Sequence, residues 1–263
     1  MVLHKWQNEC LEKWEKNGYR GIVNAVTGSG KTILALESIV LLETKLEKEL
    51  RVKIVVPQTV LATQWSDEIK RWLFERRYDI GLYSGSNKEH DRKYTIYVVN
   101  SARYTIARHI LSDIKNGYAV LLIADECHHY GSVENNKIFD FYSALPEDTP
   151  YYALGLSATP EIVDFKTISI PLGREIYCYD LKQALDDRVV SQFILYSVRL
   201  DFSDGELAEY TELSTDLQRC LASVRKSHPE LEGMRSSLFF LQLQKLAKKD
   251  SDTSQTAKTD CIV

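Results

Sequence analysis

GIVNAVTGSGKTILALESIVLL, residues 21–42, is the stretch that decides the fold. Gly21–Ala25 is a short apolar run and reads as a strand. Lys31–Leu42 places Ile33, Leu34, Leu36 and Ile39 at helical spacing. Between the two lies AVTGSGKT, Ala25–Thr32, a turn rich in glycine. A strand that turns through glycines into a helix aims its loop N–H groups into one small space, and the helix N-terminus adds partial positive charge there. Thr27, Gly28, Ser29 and Gly30 are therefore the candidate cradle for a chain of phosphates. Lys31 can reach the β- and γ-phosphates, and the Thr32 hydroxyl can ligate Mg²⁺. The general pattern has glycine where Ala25 stands, so this is its small-residue variant. A chance Gly/Ser turn is the bland alternative, and the strand–loop–helix context speaks against it.

Outward from this stretch the same rhythm repeats. Val52–Val56 reads as a strand ending at Pro57, and Leu61–Trp72 as a helix. Thr95–Val99 is a further strand and Ala102–Ile114 a further helix. Ala119–Ala124 is a continuous apolar run ending in Asp125, and Tyr151–Leu156 is another ending in Ser157. Strands that alternate with helices and are apolar on both faces predict an α/β fold with a parallel sheet flanked by helices. Polar residues then gather just past the strand ends, where such sheets hold ligands. Here they are Ala25–Thr32, Pro57–Gln58, Asn100–Ser101, Asp125–Glu126 and Ser157–Thr159. After about Glu161 the rhythm weakens. Ile168–Pro171 and Gln192–Leu200 read as extended, Asp201–Val224 as an amphipathic helix, and the polar stretch from Lys248 as a disordered tail.

Composition narrows the class. The chain has 263 residues, 44% hydrophobic and 27% charged, a globular mixture with enough length to bury a core. Its formal net charge of -4 argues against tight, passive binding of nucleic acid but not against a motor with few and transient contacts. Five scattered cysteines without a CxxC pair fit reduced thiols. No run approaches a membrane span, and no apolar stretch follows a basic start, so a cytoplasmic location without membrane contact is expected.

DECH, Asp125–His128, ends the buried run. A carboxylate at a strand tip suits a water-bridged contact to Mg²⁺, and a second one beside it suits activation of an attacking water. Phosphoryl transfer needs both tasks, which Asp125 and Glu126 can share. Cys127, His128 and His129 invite a zinc reading, but three adjacent residues do not converge on one ion and no second ligand pair stands at useful spacing. His128 is expected to hydrogen-bond the Ser157–Thr159 segment across neighbouring strand ends.

At this point the motifs resemble a family, the superfamily 2 helicases, in the branch of XPB-like proteins and the helicase subunits of type I and III restriction systems. GSGKT resembles motif I, DECH motif II and SATP (Ser157–Pro160) motif III. VVPQTVLATQW (Val55–Trp65) is similar to motif Ia, and VVNSAR (Val98–Arg103) to the next segment on the nucleic-acid track. LHKWQ (Leu3–Gln7) resembles the upstream adenine motif. The resemblance implies a RecA-like P-loop domain that binds ATP with Mg²⁺, with Gln7 reading the base. It implies that His128, Ser157, Ala158 and Thr159 couple hydrolysis to nucleic acid. Pro57, Thr59, Gln64, Asn100 and Ser101 would line the track, with DNA expected before RNA.

The implied organisation is an ATP-binding domain over 1–165, a crossover linker over 166–200, and the mostly helical start of a second domain over 201–247. A disordered tail over 248–263 would follow. The family's second motor domain carries a QxxGRxxR-type motif, and no such motif occurs in these 263 residues. The chain is thus expected to be half of a motor, either a fragment or completed by a separate chain that supplies the second RecA-like domain. Two further readings stand beside the helicase or translocase. One is an adaptor that holds ATP or nucleic acid without turnover, against which Glu126 speaks. The other is an unrelated phosphate-loop enzyme such as a kinase, against which SATP speaks.

Overall fold

A computed structural model describes residues 2–73, 79–158, 166–194, 196–198 and 200–227. The chain divides into two compact units, Met1–Phe193 and Ile194–Val263. In the first, the elements run α1 (Lys5–Lys16), β1 (Arg20–Ala25), α2 (Lys31–Lys45), β2 (Leu50–Val56), α3 (Thr59–Trp72), β3 (Ile80–Ser84) and β4 (Asn87–Lys88). They continue with β5 (Tyr94–Val98), α4 (Val99–Ala102), α5 (Ile106–Lys115), β6 (Ala119–Ala124), β7 (Tyr151–Ser157), α6 (Lys166–Leu172), β8 (Glu175–Tyr179) and α7 (Leu181–Asp186). The strands form one sheet in the order β4-β3-β5-β2-β6-β7-β1-β8. Every pairing is parallel except that of β3 with β4.

All of AVLLIA in β6 is buried, as an uninterrupted apolar strand between two helical layers must be. On one face Trp14 of α1, Leu36 and Leu42 of α2, and Ala62 and Trp65 of α3 pack together. On the other lie Ile106 and Ile110 of α5, Leu172 of α6, and Tyr130 and Phe141 from the segment after β6. Among the buried polar residues one is a lysine. Lys53, fully buried in β2, reaches Asp113 of α5 at 2.7 Å.

The strands and helices expected from Gly21 to Leu156 occur in that order with shifted ends, but β3 and β4 were not read from the sequence, and two expected elements differ in substance. The single helix expected over Ala102–Ile114 is broken into α4 and α5. At the break Thr105 turns its N–H (2.8 Å) and its hydroxyl (3.2 Å) back to the Ala102 carbonyl, a local bond that competes with helix continuation. Ile168–Pro171, expected to be extended, is instead part of α6. Its β-branched residues suggested a strand, but burial of Ile168 and Leu172 against the sheet decides otherwise. Gly173 ends this helix at φ +94°, and a Cβ there would come within 2.8 Å of the Arg20 and Gly21 backbone, so only glycine fits.

Part of the stretch expected as a crossover, 166–200, is built into the first unit, since β8 pairs with β1 and α7 follows it. The remainder, 187–200, has no helix or strand among its described residues. The second unit's described element is α8 (Asp204–Ser227), where a helix over Asp201–Val224 was expected. Phe193, Ile194, Tyr196, Val198 and Leu200 are exposed, as are Leu207, Tyr210, Leu213 and Leu217 on α8. The expected tail at 248–263 lies outside the described residues. Among those described, no helix is long and apolar enough to cross a membrane.

A candidate nucleotide site along the strand ends

The sheet order places five strands side by side as β5-β2-β6-β7-β1. Their parallel course puts the five expected polar clusters in one row along a single edge of the sheet. Asn100 and Ser101 follow β5, Pro57 follows β2, Asp125 and Glu126 follow β6, Ser157 ends β7, and the glycine-rich loop follows β1.

The loop has the backbone a phosphate cradle needs. Gly28 and Gly30 adopt φ of +81° and +94°, which turn successive N–H groups inward. Gly30 is the N-cap of α2, so the positive end of that helix faces the loop. The Lys31 ammonium lies inside the turn and donates to the Ala25 carbonyl at 2.8 Å and to Val26 at 3.4 Å. Burial lowers its pKa, while Glu126 and Asp125 act to keep it charged. Ser29 carries a buried hydroxyl without a hydrogen-bond partner. A half-buried cation parked on loop carbonyls and an unsatisfied hydroxyl beneath the loop fit an anionic, oxygen-rich ligand. Thr27 and Gly28 are exposed at the rim, and Thr32 is half-buried beside them.

Gln7 is brought to the same place. It is 1% exposed, donates from Nε2 to the Gly30 carbonyl at 2.9 Å, and accepts the His4 N–H at 2.8 Å. One end of its amide thus anchors α1 to the phosphate loop, while the other caps the start of α1.

Asp125 is 8% exposed. Burial and the neighbouring Glu126 raise its pKa, against hydrogen bonds from the Trp65 indole and the Glu126 N–H and the charge of Lys31. Its Oδ1 accepts the Glu126 N–H at 3.0 Å and its Oδ2 the Trp65 indole N–H at 2.8 Å. The Tyr130 hydroxyl sits 2.8 Å from the Asp125 carbonyl and 3.0 Å from that of Val55, which ties the tips of β6 and β2 together. Glu126 stands at φ 48°, ψ 50°, the left-handed region that a residue with a Cβ occupies only at a cost of order 1–2 kcal/mol. From there its carboxylate lies 3.5 Å from His128 Nδ1, which is also 3.1 Å from the Ser157 hydroxyl. Burial and the charge of His129 depress the His128 pKa, with Asp125 opposing. The row thus brings Thr32 and Asp125 onto one cleft, and links the Glu126 carboxylate to the next strand through His128. Ala158 follows Ser157 half-buried. Thr159, expected with them, lies outside the described residues.

The candidate track residues are less tightly placed. Thr59, Gln64 and Asn100 are exposed, and Pro57 and Ser101 half-buried. The Arg103 guanidinium donates to Asn100, and the Ser101 hydroxyl accepts the Gly85 N–H at 2.9 Å. Gln64 lines a cleft of about 570 Å³ whose walls include Thr32, Trp65, Arg71 and Asp125. Two residues of this site were not read from the sequence. Trp65 falls in step with Ala62 and Ile69 and looks like core, and Tyr130 lies five residues past Asp125 in a segment with no motif of its own.

Comparison with known proteins decides the family. The model of the type III restriction enzyme res subunit (ResIII) matches residues 1–162. This chain belongs to that family. It is similar to the DNA 3′-5′ translocase XPB2 of Sulfurisphaera tokodaii, with 29% identity over 255 residues, 96% of this chain and 51% of that protein. The fold matches that of the Hef helicase domain of Pyrococcus furiosus at a TM-score of 0.52, over 95% of this chain and 54% of that one, with 17% identity. The ResIII match spans the loop, the acidic pair and SATP, and the superfamily 2 resemblance therefore holds as a family relationship. The chain spans about half the length of these relatives.

Proposed function

We propose that this chain is the ATP-binding motor domain of a helicase or translocase that works on DNA. The observation that carries the reading is the placement of Lys31 inside a positive-φ glycine loop, within electrostatic reach of Asp125 and Glu126. In this reading the loop N–H groups and the α2 N-terminus bind the phosphates of ATP. Lys31 exchanges the Ala25 and Val26 carbonyls for phosphate oxygens, which repay its desolvation. Thr32 and Asp125 hold Mg²⁺, which when bound neutralises charge on the phosphates. Glu126 orients the attacking water and takes its proton. His128 links Glu126 to Ser157, and so to Ala158 and Thr159, as the coupling segment. Gln7 orders the loop from below and offers the base a neighbour anchored at both ends of its amide. Pro57, Thr59, Gln64, Asn100 and Ser101 serve the DNA track. The Sulfurisphaera relative is a DNA 3′-5′ translocase, which supports DNA over RNA.

Lys31→Ala tests the reading by nucleotide titration. Charge-assisted bonds are worth about 1.5–3 kcal/mol each, so losing them lowers ATP affinity by roughly 10- to 150-fold or more. Equal affinity in mutant and wild type, with the fold intact, rejects the site.

A further inference from the structure

Trp65 lies in α3, one residue after Gln64, and is 2% exposed. Its indole N–H donates to Asp125 Oδ2 at 2.8 Å across 60 residues of sequence. The other carboxylate oxygen is held by the Glu126 N–H, and the Asp125 carbonyl by Tyr130. Asp125 is thus gripped at three points, of which one comes from α3, outside the strand that carries it. Burial alone does not require such a bond. Trp6 is equally buried in the same core, stacks on Tyr179 at 4.8 Å, and leaves its indole nitrogen without a partner. Packing at position 65 would be served by any large apolar ring, whereas holding the carboxylate oxygen takes a hydrogen-bond donor, which the indole N–H supplies. The ring also forms a wall of the cleft that Thr32, Asp125 and Gln64 share.

We propose that Trp65 is a positioning residue for the metal-holding carboxylate, its indole fixing the Asp125 side chain so that it faces the cleft beside Thr32. The inference rests on the ATP–Mg²⁺ reading given above. Hydrogen-bonded partners of metal ligands typically govern metal affinity by 10- to 100-fold. Trp65→Phe keeps the ring and removes the donor. The expected result is an increase of about tenfold in the Mg²⁺ concentration that half-saturates ADP binding, with ADP affinity in the absence of metal unchanged. A purely structural role would weaken both together or neither.

A measurement on the unmodified chain guards against a variant that fails to fold. Each of the four tryptophans gives one indole N–H resonance in the ¹⁵N-labelled protein. That of Trp65, assigned through bonds, should move when Mg²⁺ is added to the ADP complex. A resonance that stays put, or a Trp65→Phe variant that titrates Mg²⁺ like wild type, overturns the inference alone. Absence of any ADP–Mg²⁺ binding by the wild-type chain overturns the nucleotide-site reading and this one with it.

Discussion

Glu126 is the residue where backbone and chemistry meet. It carries a Cβ at a positive φ, a conformation that persists when the surroundings over-determine it and that clusters at functional sites. Here the Asp125 carboxylate on one side and His128 on the other fix it. Glu126→Gln keeps the shape and the strained turn but removes the base. Nucleotide and Mg²⁺ binding should stay within about twofold, while any hydrolysis falls by about 10²–10⁴. Single-turnover assays with equilibrium binding on the same samples check this, and wild-type turnover in the variant would remove Glu126 from its role. Asp125 and Glu126 stood out in the sequence because polar residues at the end of an apolar strand have little structural use there, and Lys31 because it opens a helix behind a glycine-rich turn. Trp65 and Tyr130 were hidden for the opposite reason. Their rings satisfy the core pattern, and the one N–H and one O–H that reach the site leave no periodic trace.

Among the elements, β2 was legible as a strand but its contents were not. Val52–Val56, VKIVV, reads as an apolar strand with one stray lysine, and nothing local says that Asp113, on a helix 60 residues away, receives it. Lys53 also donates to the His90 carbonyl at 3.2 Å, so the pair is built into the layer under α5. Burial lowers the Lys53 pKa, with Asp113 opposing. Removing one partner leaves a charge buried and unpaired, which typically costs about 3–5 kcal/mol. Asp113→Ala should therefore lower the urea midpoint sharply. The double change Lys53→Met with Asp113→Leu should recover most of the loss, because well-packed apolar replacements of buried pairs are often neutral. A double variant as unstable as Asp113→Ala would show that the pair does more than satisfy itself. The same long-range logic explains α6. Its β-branched residues favour extension locally, and only the sheet face it covers makes it a helix.

At the scale of the whole molecule, the residues proposed for the DNA track along the sheet edge are uncharged. Pro57, Thr59, Gln64, Asn100 and Ser101 carry no formal charge, and the chain's net charge is -4. Contacts made by hydroxyls, amides and backbone N–H groups release few counterions, so DNA binding by this chain should be weak with a shallow salt dependence. Each neutralised phosphate contributes a slope of about -0.9 in log K against log salt, and a total of roughly -3 or shallower is expected. Hydrolysis is limited separately. Lys31 is the cation in the described phosphate loop, and no QxxGRxxR-type motif occurs in these 263 residues to bring arginines onto the γ-phosphate. Such arginines are worth about 10³–10⁵ in rate where they act. The 263-residue chain alone should then bind ATP yet turn it over near background, with or without DNA, and separate no strands. Adding the second motor domain of a relative in trans, with DNA present, should raise turnover if its arginines can reach the Lys31–Glu126 site. The measurement is steady-state phosphate release across those mixtures, paired with a duplex-unwinding assay. Fast, DNA-stimulated hydrolysis by the monomeric chain alone would mean that a group within these residues already supplies the missing charge, and Arg71, exposed on the wall of the cleft, and Arg103, half-buried after β5, would be the first to replace.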